Sequence, residues 1–247
     1  MKICSWNVRG CNNPLKFKEV IDFFKVNKVD VMGILETKIR EHKAARVINR
    51  YVCGLKVVCN YNVLGNGRIW LVWNPRTVTV LPITSYPQFV HCVITHHGSN
   101  STCFGSFVYA SNDPTIRIGL WDSLRSLNVT QEWLVLGDFN VVRDASERIS
   151  ISLPNLADIL DFNSCLLSCG LVDLQSTRVW SKLDRALVNG AWFSNFGSPV
   201  VAFLPSGMSD HSSVLVSVLP AHYRPLRFSF LNYWSSFPGF QSLIHET

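Results

Sequence analysis

The sequence predicts an α/β protein built as two packed β-sheets flanked by helices. Ten short apolar runs rich in Val, Ile, Phe and Trp read as strands, whereas only three stretches carry helical spacing. The two kinds do not alternate as strict βαβ units, which favours a sandwich over a doubly wound parallel sheet. A chain of 247 residues, 47% of them hydrophobic, has the material for the core of one large domain.

The strand-like runs cover residues 3–8, 29–35, 54–60, 68–73, 78–83, 89–95, 102–110, 133–136, 200–204 and 213–219. The first helix is expected over 15–25, where Val20, Ile21 and Phe24 share one face and Pro14 opens the segment with its preset φ. A second is expected over 116–127, with Ile116, Leu120, Leu124 and Leu127 at helical spacing behind Asp113-Pro114. The third, over 156–168, repeats Ile159, Leu160, Phe162, Leu166 and Leu167 and stops at Gly170. After Leu219 the character changes. Pro220, Pro225 and Pro238 interrupt pieces rich in Phe, Tyr and Trp, so one domain over 1–219 and an appendage over 220–247 are expected.

Composition narrows the function classes. No apolar run reaches the roughly 20 residues that cross a bilayer. The chain enters a strand motif at once, without the apolar stretch of a signal peptide, so an intracellular protein is expected, nuclear if it acts on genomic DNA. Eight cysteines include no Cys-x-x-Cys, and Cys59, Cys92 and Cys103 lie inside apolar runs, which points to free thiols and no disulfide-linked partner. Lys and Arg number 23 against 17 Asp and Glu, a net charge of +6 that suits a polyanionic partner.

The informative pattern is a carboxylate or amide placed directly after, or before, a strand-like run. Asn7 ends the first run, Glu36 follows the second, Asp138 and Asn140 follow Trp133–Gly137, and Asp210-His211 precedes the last. Singly, each reads as an ordinary strand exit or turn residue; gathered on one rim they make a different object. Two unit charges ~4 Å apart repel by ~4 kcal/mol at an effective dielectric near 20, so such carboxylates must shift their pKa values or bind a cation. Glu36, Asp138 and Asp210 with the amide of Asn7 form an oxygen donor set suited to Mg²⁺ or Mn²⁺ rather than Zn²⁺.

These motifs resemble the endonuclease/exonuclease/phosphatase superfamily, which holds DNase I and the apurinic endonucleases. The resemblance is carried by Ser5-Trp6-Asn7-Val8-Arg9-Gly10, Leu35-Glu36-Thr37-Lys38, Val108-Tyr109-Ala110-Ser111-Asn112, Gly137-Asp138-Phe139-Asn140, Lys182-Leu183-Asp184-Arg185 and Ser209-Asp210-His211. Within that superfamily they are most similar to the endonuclease domain of plant LINE-type, non-LTR retrotransposons. The resemblance implies a DNase I-like four-layered α/β sandwich and a divalent-metal-dependent phosphodiester hydrolase that nicks DNA. It implies that Asn7 and Glu36 hold Mg²⁺ or Mn²⁺ with Asp210 beside them, and that Asp138 orients and deprotonates the attacking water. Asn140 is expected to fix the phosphate or Asp138, Tyr109 to contact the scissile phosphate, and His211 to donate to the phosphoryl oxygen while Asp184 holds its imidazole. Arg9 and Arg68 are expected to touch backbone phosphates.

Two departures weigh against activity. Gly170-Leu171-Val172-Asp173 passes almost directly into Arg178–Asp184, so a Thr-Trp strand and hairpin of the family are expected to be missing before Lys182. Unpaired backbone groups left by such a loss cost about 1–3 kcal/mol each, set against a typical stability of about 5–15 kcal/mol. The chain also stops at Thr247, without a reverse transcriptase. The alternatives are therefore a non-catalytic retroelement remnant that at most binds nucleic acid by its charge, and a phosphatase of small phosphoesters using the same site.

Overall fold

The computed structural model describes residues 1–62, 67–147, 155–174, 182–197, 199–205 and 207–218. In chain order its elements are β1 (Lys2–Asn7), α1 (Pro14–Val26), β2 (Val31–Leu35), α2 (Glu41–Tyr51), β3 (Lys56–Cys59), β4 (Ile69–Trp73), β5 (Val78–Ser85), β6 (Phe89–His96) and β7 (Ser101–Tyr109). They continue with α3 (Pro114–Ser126), β8 (Trp133–Asp138), α4 (Leu156–Ser168), β9 (Leu171–Asp173), β10 (Asp184–Asn189), α5 (Gly190–Phe196), β11 (Val200–Leu204) and β12 (Ser213–Ser217). Two six-stranded sheets result, ordered β11-β12-β1-β2-β4-β3 and β5-β6-β7-β8-β10-β9. Each has a parallel pair at its centre, β1 with β2 and β7 with β8, among antiparallel neighbours.

Three apolar clusters give the molecule its layers. The sheets face each other across Ile3, Leu35, Leu71, Phe107, Leu136 and Val216. Helices α1 and α2 cover the outer face of the first sheet through Phe17, Phe24 and Trp70, and α3 and α4 cover the second through Trp121, Phe139 and Phe162. The sandwich is tightly closed at its middle: a Cβ on Gly33 would stand 2.4 Å from the Phe107 ring. Only a glycine lets the sheets approach that closely there.

The three expected helices and all ten expected strands are present, within a few residues at their ends. Two faces differ from expectation. In α3 Ile116 is exposed, and Arg117 and Trp121 turn inward instead. In α4 Leu160 and Leu167 face outward while Cys165 is buried. Four elements were not expected. Helix α2 hides its apolar stripe (Ala44, Val47, Ile48, Tyr51) among charged residues. Strand β10 opens with Asp184 and Arg185, which leaves only Ala186–Val188 as an apolar run although the Arg185 side chain is fully buried. Helix α5, only seven residues, sends Trp192 into the central cluster, and β9 has three residues.

The expected deletion falls on residues 175–181, outside the described residues. Beside it, β9 pairs directly with β10 (Asp173 opposite Leu187), and the Leu174 N–H donates to the Ala186 carbonyl at 2.9 Å, so the β10 edge is partnered there. The appendage, residues 63–66 and residues 148–154 also lie outside the described residues. All eight cysteines are free thiols. Among the described residues no helix is long and apolar enough to cross a membrane.

Candidate active site

Strand register decides which chain ends meet. Asn7 lies opposite Leu35, the residue before Glu36, in the parallel β1–β2 pair. In the other sheet, Asp138 lies opposite Tyr109 on one side and Asp184 on the other. Strand β12 runs antiparallel to β1, with Ser5 opposite Val214, so the segment before it returns to the same rim. Six strand ends thus bring the expected site residues to one edge of the sandwich.

Hydrogen bonds then fix the connecting loops. Past the strand ends, Gly10 N–H donates to the Glu36 carbonyl at 2.8 Å and Cys11 N–H to that of Thr37 at 2.7 Å. The Trp6 indole donates to the His211 carbonyl at 2.9 Å and the Ser209 hydroxyl to the Asn7 carbonyl at 2.7 Å, tying the 209–211 segment to β1. Strain gathers here. Of the seven non-glycine residues with positive φ among the described residues, Arg9 (45°), Glu36 (53°), Lys38 (55°) and Asn140 (50°) stand around this rim. Such backbone costs on the order of 1–3 kcal/mol per residue and persists where the surroundings enforce it. Gly137 (φ 147°) is required by contact: a Cβ there would lie 1.9 Å from the Val108 carbonyl oxygen.

The buried half of the site is a relay of side chains. Asn7 Nδ2 donates to Asp138 Oδ2 at 2.8 Å, and the Asn140 N–H donates to Asp138 Oδ1 at 3.0 Å. His211 Nδ1 lies 2.8 Å from Asp184 Oδ2 and 3.8 Å from Asp138 Oδ2. Burial pushes the Asp138 carboxyl up from its ordinary value, against the pull of His211 and Asn7. Burial also raises Asp184, to about 6, despite its hydrogen bond to His211. For His211, burial opposes the charged form, but the Asp184 hydrogen bond and the charges of Asp184, Asp138 and Asp210 outweigh it and raise the imidazole.

The other half is held by exposed cations. Glu36 Oε1 holds the Lys38 ammonium at 2.7 Å, and Asp210 Oδ1 holds the Arg9 guanidinium at 3.0 Å. Burial pushes Glu36 up, yet Lys38 together with hydrogen bonds from Asn7 and Tyr109 leaves it below the usual glutamate range. Arg9 Nη2 also reaches 3.4 Å from His211 Nε2. The Arg68 guanidinium lies over the Tyr109 ring, 5.8 Å from its centroid. All ten expected residues are therefore linked on one rim. The side-chain amide of Asn140 is spent on the Ala110 carbonyl at 2.7 Å, so its contact with Asp138 is through the backbone.

Among the described residues one compact donor group could hold a metal ion. Asp138, Asp184 and His211 offer ligand atoms within 4.8 Å of one another. Neither Glu36 nor Asp210 joins that compact group. Part of its donor capacity is engaged by the Asp184–His211 contact and by the two donors on Asp138. Glu36 and Asp210 instead carry cations on long side chains that are themselves more than half exposed (54% for Lys38, 55% for Arg9). An ammonium against a carboxylate marks where positive charge is favoured, and carboxylates such as Glu36 and Asp210 are hard oxygen donors of the kind a divalent ion takes; the Asn7 Oδ1 accepts the Arg9 N–H at 2.9 Å.

Supporting residues that sequence reasoning missed include Lys38, inside a motif it used. Arg117 is buried and donates to the carbonyls of Ser111 (2.8 Å) and Asn140 (2.9 Å), joining the loops after β7 and β8. Arg185 is held by Glu147 and Asp173, directly after Asp184. Its position in Leu183-Asp184-Arg185 was the available signal.

Comparisons with known proteins agree with this geometry. The endonuclease/exonuclease/phosphatase family matches residues 4–211. No curated protein matches the sequence. Among solved structures, an AP endonuclease from Archaeoglobus fulgidus is similar at TM-score 0.65 and 17% identity, covering 88% of this chain and 99% of that one. The endonuclease domain of TRAS1, a telomere-specific non-LTR retrotransposon, is similar at TM-score 0.64 and 13% identity, with 88% and 98% covered. A mannosyl-6-phosphatase from Bacteroides thetaiotaomicron reaches TM-score 0.58 at 10% identity, with 89% and 99% covered. At these identities the likeness is one of fold.

Proposed function

The chain belongs to the endonuclease/exonuclease/phosphatase family of phosphoester hydrolases, and on that premise we propose that it is a divalent-metal-dependent endonuclease that nicks DNA. The observation that carries this reading is the line of contacts from Asn7 through Asp138 and His211 to Asp184. A retroelement origin of the plant LINE type is supported by the motifs at residues 5–10 and 182–185.

When bound at Glu36, Asp210 and Asn7, Mg²⁺ or Mn²⁺ supplies Lewis-acid polarisation of a phosphoryl oxygen and eases charge on the leaving 3′-oxygen. Asp138, raised by burial, orients the attacking water and takes its proton; a raised carboxyl pKa makes the stronger base. The Asn7 amide and Asn140 N–H keep that carboxylate aimed. His211, raised by its acidic neighbours and held by Asp184, donates to the phosphoryl oxygen as charge builds. The Tyr109 hydroxyl contacts the scissile phosphate, and Arg9 and Arg68 the backbone phosphates. Intact donors and acceptors throughout this relay favour an enzyme over a decayed remnant.

The test offers supercoiled plasmid, abasic duplex and inositol phosphates side by side, with Mg²⁺, with Mn²⁺ and with chelator. Metal-dependent nicking that chelation abolishes is expected. Folded protein that is inert on all three substrates would establish the remnant, and turnover of inositol phosphates alone would establish the phosphatase.

A further inference from the structure

We propose that Arg40, Lys43 and Arg46, at the rim end of α2, form a phosphate-tracking surface that seats duplex DNA beside the active site; this rests on the DNA reading above. Residues 38–50 carry Lys38, Arg40, Lys43, Arg46 and Arg50 against the single acid Glu41, a large part of the chain's net +6. Arg40, Lys43, Arg46 and Arg50 are all exposed. Among the described residues none of these four has a carboxylate within 4.0 Å. Elsewhere only some helix charges are paired, Lys18 with Asp22 on α1 and Arg125 with Asp122 on α3, and the other lysines of α1, Lys16 and Lys25, stand nine residues apart. Four exposed cations gathered over residues 40–50, with Glu41 the single acid among them, point to a partner that brings the negative charge.

Position and spacing fit a nucleic-acid backbone. Helix α2 begins just after the Glu36–Lys38 turn, so its first turns adjoin the site. A helix rises about 1.5 Å per residue, placing Arg46 about 9 Å along the axis from Arg40. One DNA strand presents a charge per ~3.4 Å of axis, so three bases over that length match about three successive phosphates. Lys43 and Arg46 share a flank set apart from the stripe of Ala44, Val47, Ile48 and Tyr51 that packs on the sheet. An acidic membrane is the poorer fit: α2 contributes no exposed large hydrophobic residue to insert. Arg50 stands about 15 Å down the helix from Arg40, against the Tyr51 ring. It contributes least.

The test measures binding of a 20-base-pair duplex in EDTA by fluorescence anisotropy across a salt series. Arg40→Gln/Lys43→Gln/Arg46→Gln is compared with Lys28→Gln/Lys56→Gln/Arg76→Gln, which removes the same charge from the far end of the first sheet. The α2 variant is expected to bind about tenfold more weakly and to lose about 2–3 from the salt slope, at ~0.9 per phosphate contact. Its hydrolysis of bis(p-nitrophenyl) phosphate and its thermal midpoint stay at parent values. The control variant and Arg50→Gln stay near the parent in DNA binding. Unchanged affinity and slope in the α2 variant, or equal losses in the control, overturn the surface while plasmid nicking still upholds the DNA reading. A parent that hydrolyses the small diester yet neither binds nor nicks DNA overturns both. Loss of binding to phosphatidylserine vesicles with DNA binding intact assigns the surface to membranes and overturns the proposal.

Discussion

The two halves of the candidate site hold their carboxylates by different means. Asp138 and Asp184 are gripped by groups that cannot leave: an amide and a backbone N–H on one, an imidazole on the other, all set by strand register. Glu36 and Asp210 are gripped by Lys38 and Arg9, whose side chains can swing away into water. The first arrangement is preorganised for proton and charge transfer. The second keeps negative charge compensated until a divalent ion takes the place of the bases. Buried electrostatics in this fold fixes geometry, and exposed electrostatics leaves room for exchange.

The largest effects are expected in the buried half. Asp138→Ala and His211→Ala should each lower Mg²⁺-dependent plasmid nicking by about 10²–10⁴-fold, the range for losing a positioned acid or base. Circular dichroism should show both variants folded. Activity within a few-fold of the parent would break the assignment of these roles.

Next in size is the support behind Asp184. Arg185 is fully buried between Glu147 and Asp173, whose Oδ2 also meets the Lys182 ammonium at 2.9 Å and whose Oδ1 has no partner among the described residues. Arg185→Met should cost roughly 3–5 kcal/mol in denaturant unfolding, because it strands buried carboxylates. A milder test uses acid. Burial pushes Glu147 up, but the hydrogen bond and charge of Arg185 hold it below its ordinary value of 4.5. A depressed carboxyl stabilises fully above the unfolded pKa and loses that contribution as pH falls through the folded one. Glu147→Gln should therefore flatten the stability profile below about pH 4.5, in urea midpoints measured against pH. A profile as steep as the parent's would remove Glu147 from the ledger of acid sensitivity.

The smallest effect sharpens the exposed half. Lys38→Met removes the ammonium that competes for Glu36 and should tighten Mn²⁺ binding, read by calorimetry. Exposed ion pairs are worth about 0–1 kcal/mol, so the gain should not exceed about fivefold. Weaker binding would show that Lys38 supports the ion rather than competing with it.

Much of this was legible in the sequence because the fold converts strand ends into site positions. A period-two or continuous apolar run ending in Asn7, Glu36 or Asp138 gives both the strand and the residue that its end presents. Elements stabilised by ion pairs were not legible. β10 buries Arg185 where an apolar side chain would have marked a strand, and its partners Glu147 and Asp173 lie 38 and 12 residues away. Helix α2 hides four packing residues among four charged ones, and its spacing becomes clear only once the sheet it covers is known. The helix faces were misjudged for a related reason. Leu160, Leu167 and Ile116 look like core by composition, but Cys165, Trp121 and even Arg117 fill those positions because α3 and α4 pack against each other. Which base neutralises which acid at the rim was equally hidden, since it depends on backbone at positive φ in Arg9, Glu36 and Lys38.

The division of labour between the two halves is tested most directly by titrating Mn²⁺ into the parent, Glu36→Gln and Asp184→Asn. Glu36→Gln should weaken binding by at least the ~10–100-fold that loss of an outer-shell partner costs, with Asp184→Asn close to the parent. The reverse result, affinity lost with Asp184→Asn and kept with Glu36→Gln, would place the ion among Asp138, Asp184 and His211 and contradict the account.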